Sequence, residues 1–147
     1  MTRFVQANPG AVVAIEGPNE INNHGLSYNS QTDLAAAQMF QTDLYEAAKS
    51  STALSQIPIY SLTGTNLVTS GFDYTNIHPY AHDGDQPLAW LDAALATQQD
   101  KAGAGTVVTE AGYYTLPDDT IGWGGVDQAT QAKQTLNLLL DAAKLGV

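Results

Sequence analysis

Two glutamates near the ends of short apolar segments are the residues of this sequence best suited to chemistry. Glu20 follows the apolar residues 12–15, and Glu110 ends the segment 106–110. Short apolar runs are typical of parallel strands buried on both faces, and parallel barrels carry their reactive groups at the carboxyl ends of the strands. Two carboxylates in such positions can hydrolyse a glycosidic bond, one as acid/base and one as nucleophile. The alternative is that both are merely polar residues that cap strands.

A histidine and a tyrosine end the strand predicted between the two glutamates. His78 and Tyr80 follow the segment 74–77, and both can hydrogen-bond to a carboxylate or a sugar hydroxyl. Because the carboxyl ends of parallel strands share one edge of a sheet, the three clusters are expected to converge on one pocket. The alternative is again that strand ends in any α/β fold carry polar residues.

Strand-like and helix-like segments alternate along the chain, which is the pattern of βα units around a parallel sheet. Strands are predicted at 12–16, 57–62, 74–78 and 106–110, and helices at 32–50, 87–101 and 126–145. A polar loop is predicted at 19–30, and the connection between the second and third strands has room only for a short helix at 67–70.

Helical spacing also predicts which face of each helix is buried and where each helix ends. Thr32 or Ser30 can cap the first helix, Pro87 suits the first turn of the second, and Gly146 suits the end of the third. The predicted buried face of the helix at 32–50 consists of Leu34, Ala37, Phe40 or Gln41, Leu44 and Ala47 or Ala48. That of the helix at 87–101 consists of Leu88, Leu91 and Leu95, and that of the helix at 126–145 consists of Ala129, Ala132, Leu136, Leu139 or Leu140, and Ala143.

Three motifs together resemble the retaining glycoside hydrolases of clan A, whose (β/α)8 barrels include those of the family 5 cellulases. They are Gly17-Pro18-Asn19-Glu20, His78-Pro79-Tyr80 and Thr109-Glu110-Ala111-Gly112-Tyr113, and their order and separations agree over nearly the whole chain. This resemblance implies that Glu20, after the fourth barrel strand, is the acid/base and that Glu110, after the seventh, is the nucleophile. Asn19 would bind the sugar 2-hydroxyl, and His78 and Tyr80 would support the nucleophile and the substrate.

The resemblance covers strands four to seven of an eight-stranded barrel. The expected fold is therefore α/β, a half (β/α)8 or TIM barrel of four parallel βα units, forming one domain over residues 1–147. An open sheet of this kind leaves two unpaired edges and apolar surface that a closed barrel covers. We therefore expect self-association into a homodimer. Alternatively, the chain is a fragment of a longer protein that is active only when joined to the rest.

The function implied is retaining, cellulase-like hydrolysis of β-glycosidic bonds in an oligosaccharide or polysaccharide. No cofactor is expected, because two carboxylates and water suffice for this reaction. The alternative is a half-barrel that is non-catalytic or weakly active and that binds carbohydrate or only self-associates. Glu16, four residues before Glu20, is expected to lie too deep to reach substrate and to have a structural role.

Aromatic residues near Glu110 are candidates for contact with a pyranose ring. Trp123 and Tyr113 are predicted to bind substrate in this way, and Tyr114 is a similar candidate; packing within the loop is the alternative for each. Trp90 lies inside a predicted helix, where packing is the simpler role. A metal site is not predicted. His78 and His82 with Asp83 and Asp85 offer ligands, but Pro79 prevents a helical register and Asp-Gly-Asp is common in turns.

Composition excludes several classes of function. The formal net charge of −10 disfavours a nucleic acid partner, and the absence of cysteine excludes disulfides and thiolate chemistry. No apolar run approaches the roughly 20 residues that span a membrane, and the first residues lack the core of a signal peptide. The low charged fraction of 14% together with the resemblance suggests a secreted bacterial protein.

Overall fold

The structure, a computed structural model, describes residues 1–64, 68–98, 103, 105–116, 122 and 124–147. The fold is mixed α/β with short parallel strand pairs. In the described part of the chain, no helix has both the length and the apolar character needed to cross a membrane. The elements in chain order are α1 (Thr2–Ala7), β1 (Ile15–Glu16), α2 (Ile21–His24), β2 (Ser27–Tyr28), β3 (Gln31–Thr32), α3 (Asp33–Ser50), β4 (Ile59–Tyr60), β5 (Thr75–Ile77), α4 (Pro87–Ala96), β6 (Thr106–Val108) and α5 (Gln128–Leu145).

The chain forms two compact units. The first unit consists of residues 1–76 and 100–107, and the second of residues 77–99 and 108–147. The four strands predicted from the apolar runs are each present as a shorter core of two or three residues. The helix ends are close to the predicted positions, with Thr32 at the N-cap of α3, Pro87 in the first turn of α4 and Gly146 at the left-handed C-cap of α5. Two of the predicted bounds, Leu67 and Lys101, lie outside the described residues, and the described residues 68–70 are not helical.

The strands that were predicted from the apolar runs pair in parallel, as the βα pattern predicted. β1 pairs with β4, so that Ile15 lies opposite Ile59. The pairing continues past the strand ends, because the N–H of Thr63 donates to the carbonyl of Pro18 at 3.1 Å. A parallel bridge joins Tyr60 to Tyr74, just before β5. β5 then pairs with β6. These strand pairings fix the positions of the residues that follow each strand.

The segment predicted as a polar loop, 19–30, contains regular structure. It holds the single-turn helix α2 and then the first strand of the antiparallel hairpin β2–β3. Asn29 and Ser30 form the turn with φ of 47° and 64°, and positive φ at both residues is what a two-residue hairpin of this hand requires. The prediction failed because Asn-Ser is a weaker turn signal than Asn-Gly. The helix α1 was not predicted either.

Two apolar clusters form the core of the first unit. In one, the α3 residue Ala37 packs against Leu62, Val68 and Phe72. The other is formed by Ala48, Leu54 and Ile59, with partly buried residues around them. The buried face of α3 includes Ala37, Gln41 and Ala48, each within the predicted set. It differs from the prediction in that Ala36 is buried and that Leu34 and Leu44 are only half-buried.

A buried glutamine on α3 completes the packing of that helix on the strands. Gln41 is fully buried, and its Oε1 accepts a hydrogen bond from the N–H of Leu62 at 3.0 Å. Its Nε2 donates to the carbonyl of Gly71 at 2.7 Å and of Tyr60 at 3.3 Å. Gly17 lies directly against this amide. One side chain therefore binds backbone groups of two separate segments where α3 packs on them, as buried polar groups require.

An ion pair holds the chain that leads into β5. Asp73 accepts hydrogen bonds from the N–H of Ile59 at 2.7 Å and from Tyr45 at 3.3 Å, and its Oδ2 lies 2.7 Å from Lys49 Nζ. Burial alone would raise the pKa of Asp73, but the hydrogen bonds from Lys49 and Ile59 and the Lys49 charge outweigh it, so the pKa is lowered. The carboxylate fixes the spacing between β4 and β5.

The buried face predicted for α5 is wrong. Leu136, Leu139 and Leu140 are 63%, 63% and 70% exposed, and the buried residues of the helix are Gln134 and Leu138. The reason is that α5 meets the rest of the second unit through the side-chain amides of Gln134 and Asn137 and through Leu138, not through the three predicted leucines.

Those amides bind the loop that precedes α4. Gln134 Nε2 donates to the carbonyl of Gly84 at 2.7 Å, and Asn137 Nδ2 donates to Gln86 Oε1 at 3.0 Å. Gly84 has φ +73°, and a Cβ there would lie 2.9 Å from Val126 Cγ1, just before α5, and 3.4 Å from Thr130 Cγ2 on α5. The loop therefore approaches this region closely because Gly84 lacks a side chain. A loop carbonyl that faces a helix needs a donor, and Gln134 supplies it to Gly84.

We expect Gly17→Ala to destabilise the protein by about 2–4 kcal/mol, because overpacking adds to the loss of a buried hydrogen bond. The new Cβ would overlap Gln41 Oε1 and lie 2.8 Å from the backbone nitrogen of Leu62. Urea unfolding followed by circular dichroism measures the change. Gly112→Ala is the matched control, since its Cβ would lie 3.8 Å from Tyr80 Cε1, an ordinary contact. Equal stabilities of the two variants would contradict this account of Gln41.

Candidate active site

Glu20 lies at a strained turn directly after the β1 segment. It is the N-cap of α2 and has the left-handed conformation, φ 39° and ψ 57°. This region is uncommon for a residue with a long side chain and costs about 1–2 kcal/mol. Asn23 Nδ2 donates to Glu20 Oε2 at 2.8 Å. Strain of this kind persists where surrounding contacts fix the backbone, and such positions cluster at functional sites.

Thr63, after β4, supplies those contacts. Its hydroxyl accepts a hydrogen bond from the N–H of Glu20 at 2.9 Å and donates to Asn19 Oδ1 at 3.4 Å, and its carbonyl accepts from the N–H of Ile21 at 3.2 Å. Gly64 presses against the same turn, because a Cβ there would lie 2.7 Å from the nitrogen of Ile21. Thr63 was not predicted as a functional residue. Its position after a predicted strand, just before a glycine, was the available signal.

Glu110 follows β6 and is held by a tyrosine from the segment after β5. The Tyr80 hydroxyl donates to Glu110 Oε1 at 2.5 Å. The Glu110 side chain remains 45% exposed, so its carboxylate can meet a molecule from solvent. A carboxylate that is oriented by one donor and still accessible can act as a nucleophile or as an acid/base. Whether Tyr80 supports a nucleophile, as the resemblance implied, stays a prediction.

His78 adds a second contact to the same carboxylate. Its side chain is 6% exposed, and Nδ1 lies 3.7 Å from Glu110 Oε2. Nε2 lies 3.0 Å from Thr109 Oγ1. A Thr109 hydroxyl that donates to Nε2 leaves the ring proton on Nδ1, the nitrogen that faces Glu110. Thr109 stands beside Glu110 in the third motif, but no role was predicted for it from the sequence.

The predicted site residues are divided between the two units. Asn19 and Glu20 belong to the first unit, and His78, Tyr80 and Glu110 belong to the second. Within each unit the residues lie together as described above. The predicted convergence of Glu20 with Glu110 on one pocket stays a prediction. Glu16 is half-buried in β1.

The aromatic candidates differ in their surroundings. Tyr113 is 8% exposed and packs with Ala81 and Val126, and its hydroxyl donates to the carbonyl of Asp85 at 2.7 Å. Burial, and then the charges of Asp85 and Asp141, raise the pKa of Tyr113. Its role in binding substrate stays a prediction, and Trp123 lies outside the described residues.

Trp90 and His82 pack against each other. Trp90 lies in α4, contacts the same apolar cluster as Tyr113 and stacks on His82 with ring centroids 4.8 Å apart and an interplanar angle of 3°. The packing role predicted for Trp90 is confirmed. The stacked geometry also accounts for the position of His82 in the segment before α4.

A cleft lies beside Tyr80 in the second unit. It has a volume of about 360 Å³ and lies between the loop that follows Glu110 and the first half of α5. Tyr114 is 46% exposed there and stacks on Tyr80 with centroids 6.4 Å apart and an interplanar angle of 28°. The described lining residues are Tyr80, Ala111, Gly112, Tyr113, Tyr114, Gln131 and Thr135.

Comparison with known proteins gives no match: no family model, no curated protein and no solved structure is significantly similar to this chain.

We expect Tyr113→Phe to lower the stability of the protein by about 1 kcal/mol at neutral pH, because the carbonyl of Asp85 loses a buried donor. The raised pKa gives a second signature. The folded state holds the phenol proton more tightly than the unfolded state does. The contribution of the protonated Tyr113 to the free energy of unfolding is therefore fully present below the ordinary tyrosine pKa of about 10. It is lost as the pH rises through the raised pKa of the folded state.

The stability difference between wild type and Tyr113→Phe should therefore shrink at alkaline pH. Urea unfolding at a series of pH values measures it. Tyr114→Phe, in the same loop and exposed, is the control. A difference that stays constant across the alkaline range would contradict the assignment of the shift to Tyr113.

Proposed function

We propose that this protein is a retaining glycoside hydrolase that cleaves β-glycosidic bonds in oligosaccharides or polysaccharides. The observation that carries the proposal is the Glu110 carboxylate, which follows a parallel strand, accepts the Tyr80 hydroxyl at 2.5 Å, faces His78 and is 45% exposed. In this proposal Glu110 is the nucleophile and Glu20 is the acid/base. The three motifs that resemble clan A glycoside hydrolases support the same assignment.

Each proposed role has a chemical requirement. Glu110 attacks the anomeric carbon and forms a glycosyl ester, while Glu20 protonates the departing oxygen; Glu20 then takes a proton from the water that hydrolyses the ester. The two carboxyl groups must be about 5–5.5 Å apart for this mechanism. Tyr80 fixes one oxygen of Glu110, which orients the other toward the sugar. Asn19, beside Glu20 and Thr63, is proposed to bind the 2-hydroxyl.

The fold proposed for this activity is a half (β/α)8 barrel. Support comes from the parallel pairing of β1 with β4, from the parallel bridge at Tyr60 and Tyr74, and from the helices α3, which precedes β4, and α4, which lies between β5 and β6. The left-handed backbone of Glu20 gives independent support for its role, because the turn fixes the glutamate in a conformation that a structural cap does not need.

We expect Glu110→Gln to lower kcat on a reactive aryl β-glycoside by at least about 10³-fold, since the amide cannot form the glycosyl ester. Tyr80→Phe should lower kcat by about 10–100-fold, because a hydrogen bond to a charged group contributes about 1.5–3 kcal/mol. The measurement is release of 4-nitrophenol from a panel of 4-nitrophenyl β-glycosides. Glu46→Gln, an exposed position on α3, is the control for the charge change.

A covalent label tests the nucleophile directly. A 2-deoxy-2-fluoro aryl β-glycoside should add one sugar to the wild-type chain, and peptide mass spectrometry should place it on Glu110. Wild type and Glu110→Gln that hydrolyse at the same rate would contradict the proposed function. A label on another residue would contradict the role of Glu110.

A second function, self-association, is favoured by the exposed leucines of α5. We define the leucine face as Ala132, Leu136, Leu139, Leu140 and Ala143, all of which are exposed. Ala132, Leu136, Leu139 and Ala143 recur at intervals of four, three and four residues, which is the spacing of the seam between two packed helices, and Leu140 lies beside them. All five are uncharged, so two copies can meet across a two-fold axis here despite the net charge of −10. We propose that the expected homodimer forms through this face.

Light scattering after size exclusion tests this interface. We expect the wild type to have twice the 15.5 kDa mass of one chain and the double variant Leu136→Gln, Leu140→Gln to have the mass of one chain. Leu116→Gln is the matched control, because Leu116 is 60% exposed but lies in a loop outside the leucine face. A wild type of 15.5 kDa at every concentration tested, or a dimer that survives the double variant, would contradict the proposed interface.

A further inference from the structure

The cleft beside Tyr80 has the size of a site for one small ring. Its volume of about 360 Å³ lies at the lower end of the roughly 300–1,000 Å³ typical of small-molecule sites. It lies in the second unit, between the loop at 111–114 and α5. A single pyranose ring fits such a volume, whereas a longer segment of a sugar chain would have to extend beyond it.

The lining chemistry favours a neutral, hydroxylated ligand. None of the described lining residues carries a formal charge, and the net charge of −10 disfavours an anion. Tyr114 offers an exposed aromatic face, on which the C–H face of a sugar ring can pack. Gln131 and Thr135 are four residues apart on α5 and so present an amide and a hydroxyl on the same side of the helix.

The aromatic face is held in position before any ligand arrives. The N–H of Val126 donates to the carbonyl of Tyr114 at 2.8 Å, and Gln131 Nε2 donates to the carbonyl of Tyr113 at 2.9 Å. Stacking of Tyr114 on Tyr80 adds a third restraint. Gly112 leaves room above the Tyr80 ring, since no side chain lies between the loop and Cε1. A preorganised aromatic surface loses little entropy on binding.

Tyr80 links the cleft to the carboxylate. Its ring lines the cleft, while its hydroxyl donates to Glu110 Oε1. From this geometry we infer that the cleft is a subsite for a neutral sugar unit next to the one that reacts at Glu110, and that Tyr114 is its specificity-determining residue. The inference rests on the proposed function for the identity of the ligand. The substrate is accordingly a neutral oligosaccharide of at least two sugar units, not an acidic one.

Binding to an inactive full-length chain tests the subsite without hydrolysis. In the Glu110→Gln background, titration calorimetry is carried out with four neutral trisaccharides, namely cellotriose, laminaritriose, mannotriose and xylotriose, and with trigalacturonic acid as the anionic comparison. We expect at least one neutral trisaccharide to bind and the acidic one not to bind. Adding Tyr114→Ala should weaken binding roughly tenfold, whereas Tyr114→Phe should change it less than threefold.

Amide shifts in ¹⁵N NMR spectra show where the ligand binds, and the same spectra show whether each variant is folded. The trisaccharide should shift the backbone amide of Gly112 and the side-chain amide of Gln131. Leu116→Ala, exposed in the same loop but not lining the cleft, should bind like its parent. Three results would overturn the subsite: no neutral trisaccharide binds, the acidic one binds as well, or Tyr114→Ala binds normally while its spectrum shows a folded chain.

The subsite and the proposed function fail in different ways. If the wild type hydrolyses no aryl β-glycoside, but Glu110→Gln binds a neutral trisaccharide through Tyr114, the catalytic proposal fails and the subsite stands. If the wild type hydrolyses aryl β-glycosides and Tyr114→Ala leaves both trisaccharide binding and KM unchanged, the function stands and the subsite fails.

Discussion

The buried amide of Gln41 is the contact on which the first unit depends. Fully enclosed, it joins α3 to the chain at Leu62 and at Gly71, so one side chain sets the distance between a helix and two separate segments. An apolar residue of the same size would leave those backbone groups without partners in a dry interior, where each costs about 1–3 kcal/mol. The geometry after β4, including Thr63 and through it the turn at Glu20, follows from this placement.

The second unit uses the same chemistry in a different place. Side-chain amides of α5 bind the carbonyls of the loop before α4 and of Tyr113, and Asp127 caps the helix by accepting from the N–H of Thr130 at 2.7 Å. The cap hydrogen bonds lower the pKa of Asp127, because they favour its charged form. On α5, Gln134 is buried beside Leu138, whereas Leu136, Leu139 and Leu140 are exposed, which departs from the usual amphipathic arrangement of a surface helix.

The sequence predicted the features that local chemistry controls. Apolar runs located the strands, and Pro87 and Gly146 marked helix ends, because φ restrictions act on a few neighbouring residues. The buried face of α5 could not be predicted, since it depends on carbonyls about 50 residues away that only the tertiary fold brings to Gln134. Glu110 and Tyr80 could be predicted as partners, because both follow strands that pair. Thr63 and Thr109 could not, because a hydroxyl after a strand is too common to stand out.

The left-handed turn at Glu20 sets stability against activity in a single residue. A glycine or an asparagine adopts φ near 39° with less strain than a glutamate does, so the backbone at this position would be more stable without the carboxylate. Selection for thermal stability alone would therefore favour the substitutions Glu20→Gly and Glu20→Asn. A library screened only for resistance to heat would enrich chains that have lost the proposed acid/base, and its most stable members would be the least informative about what the protein does.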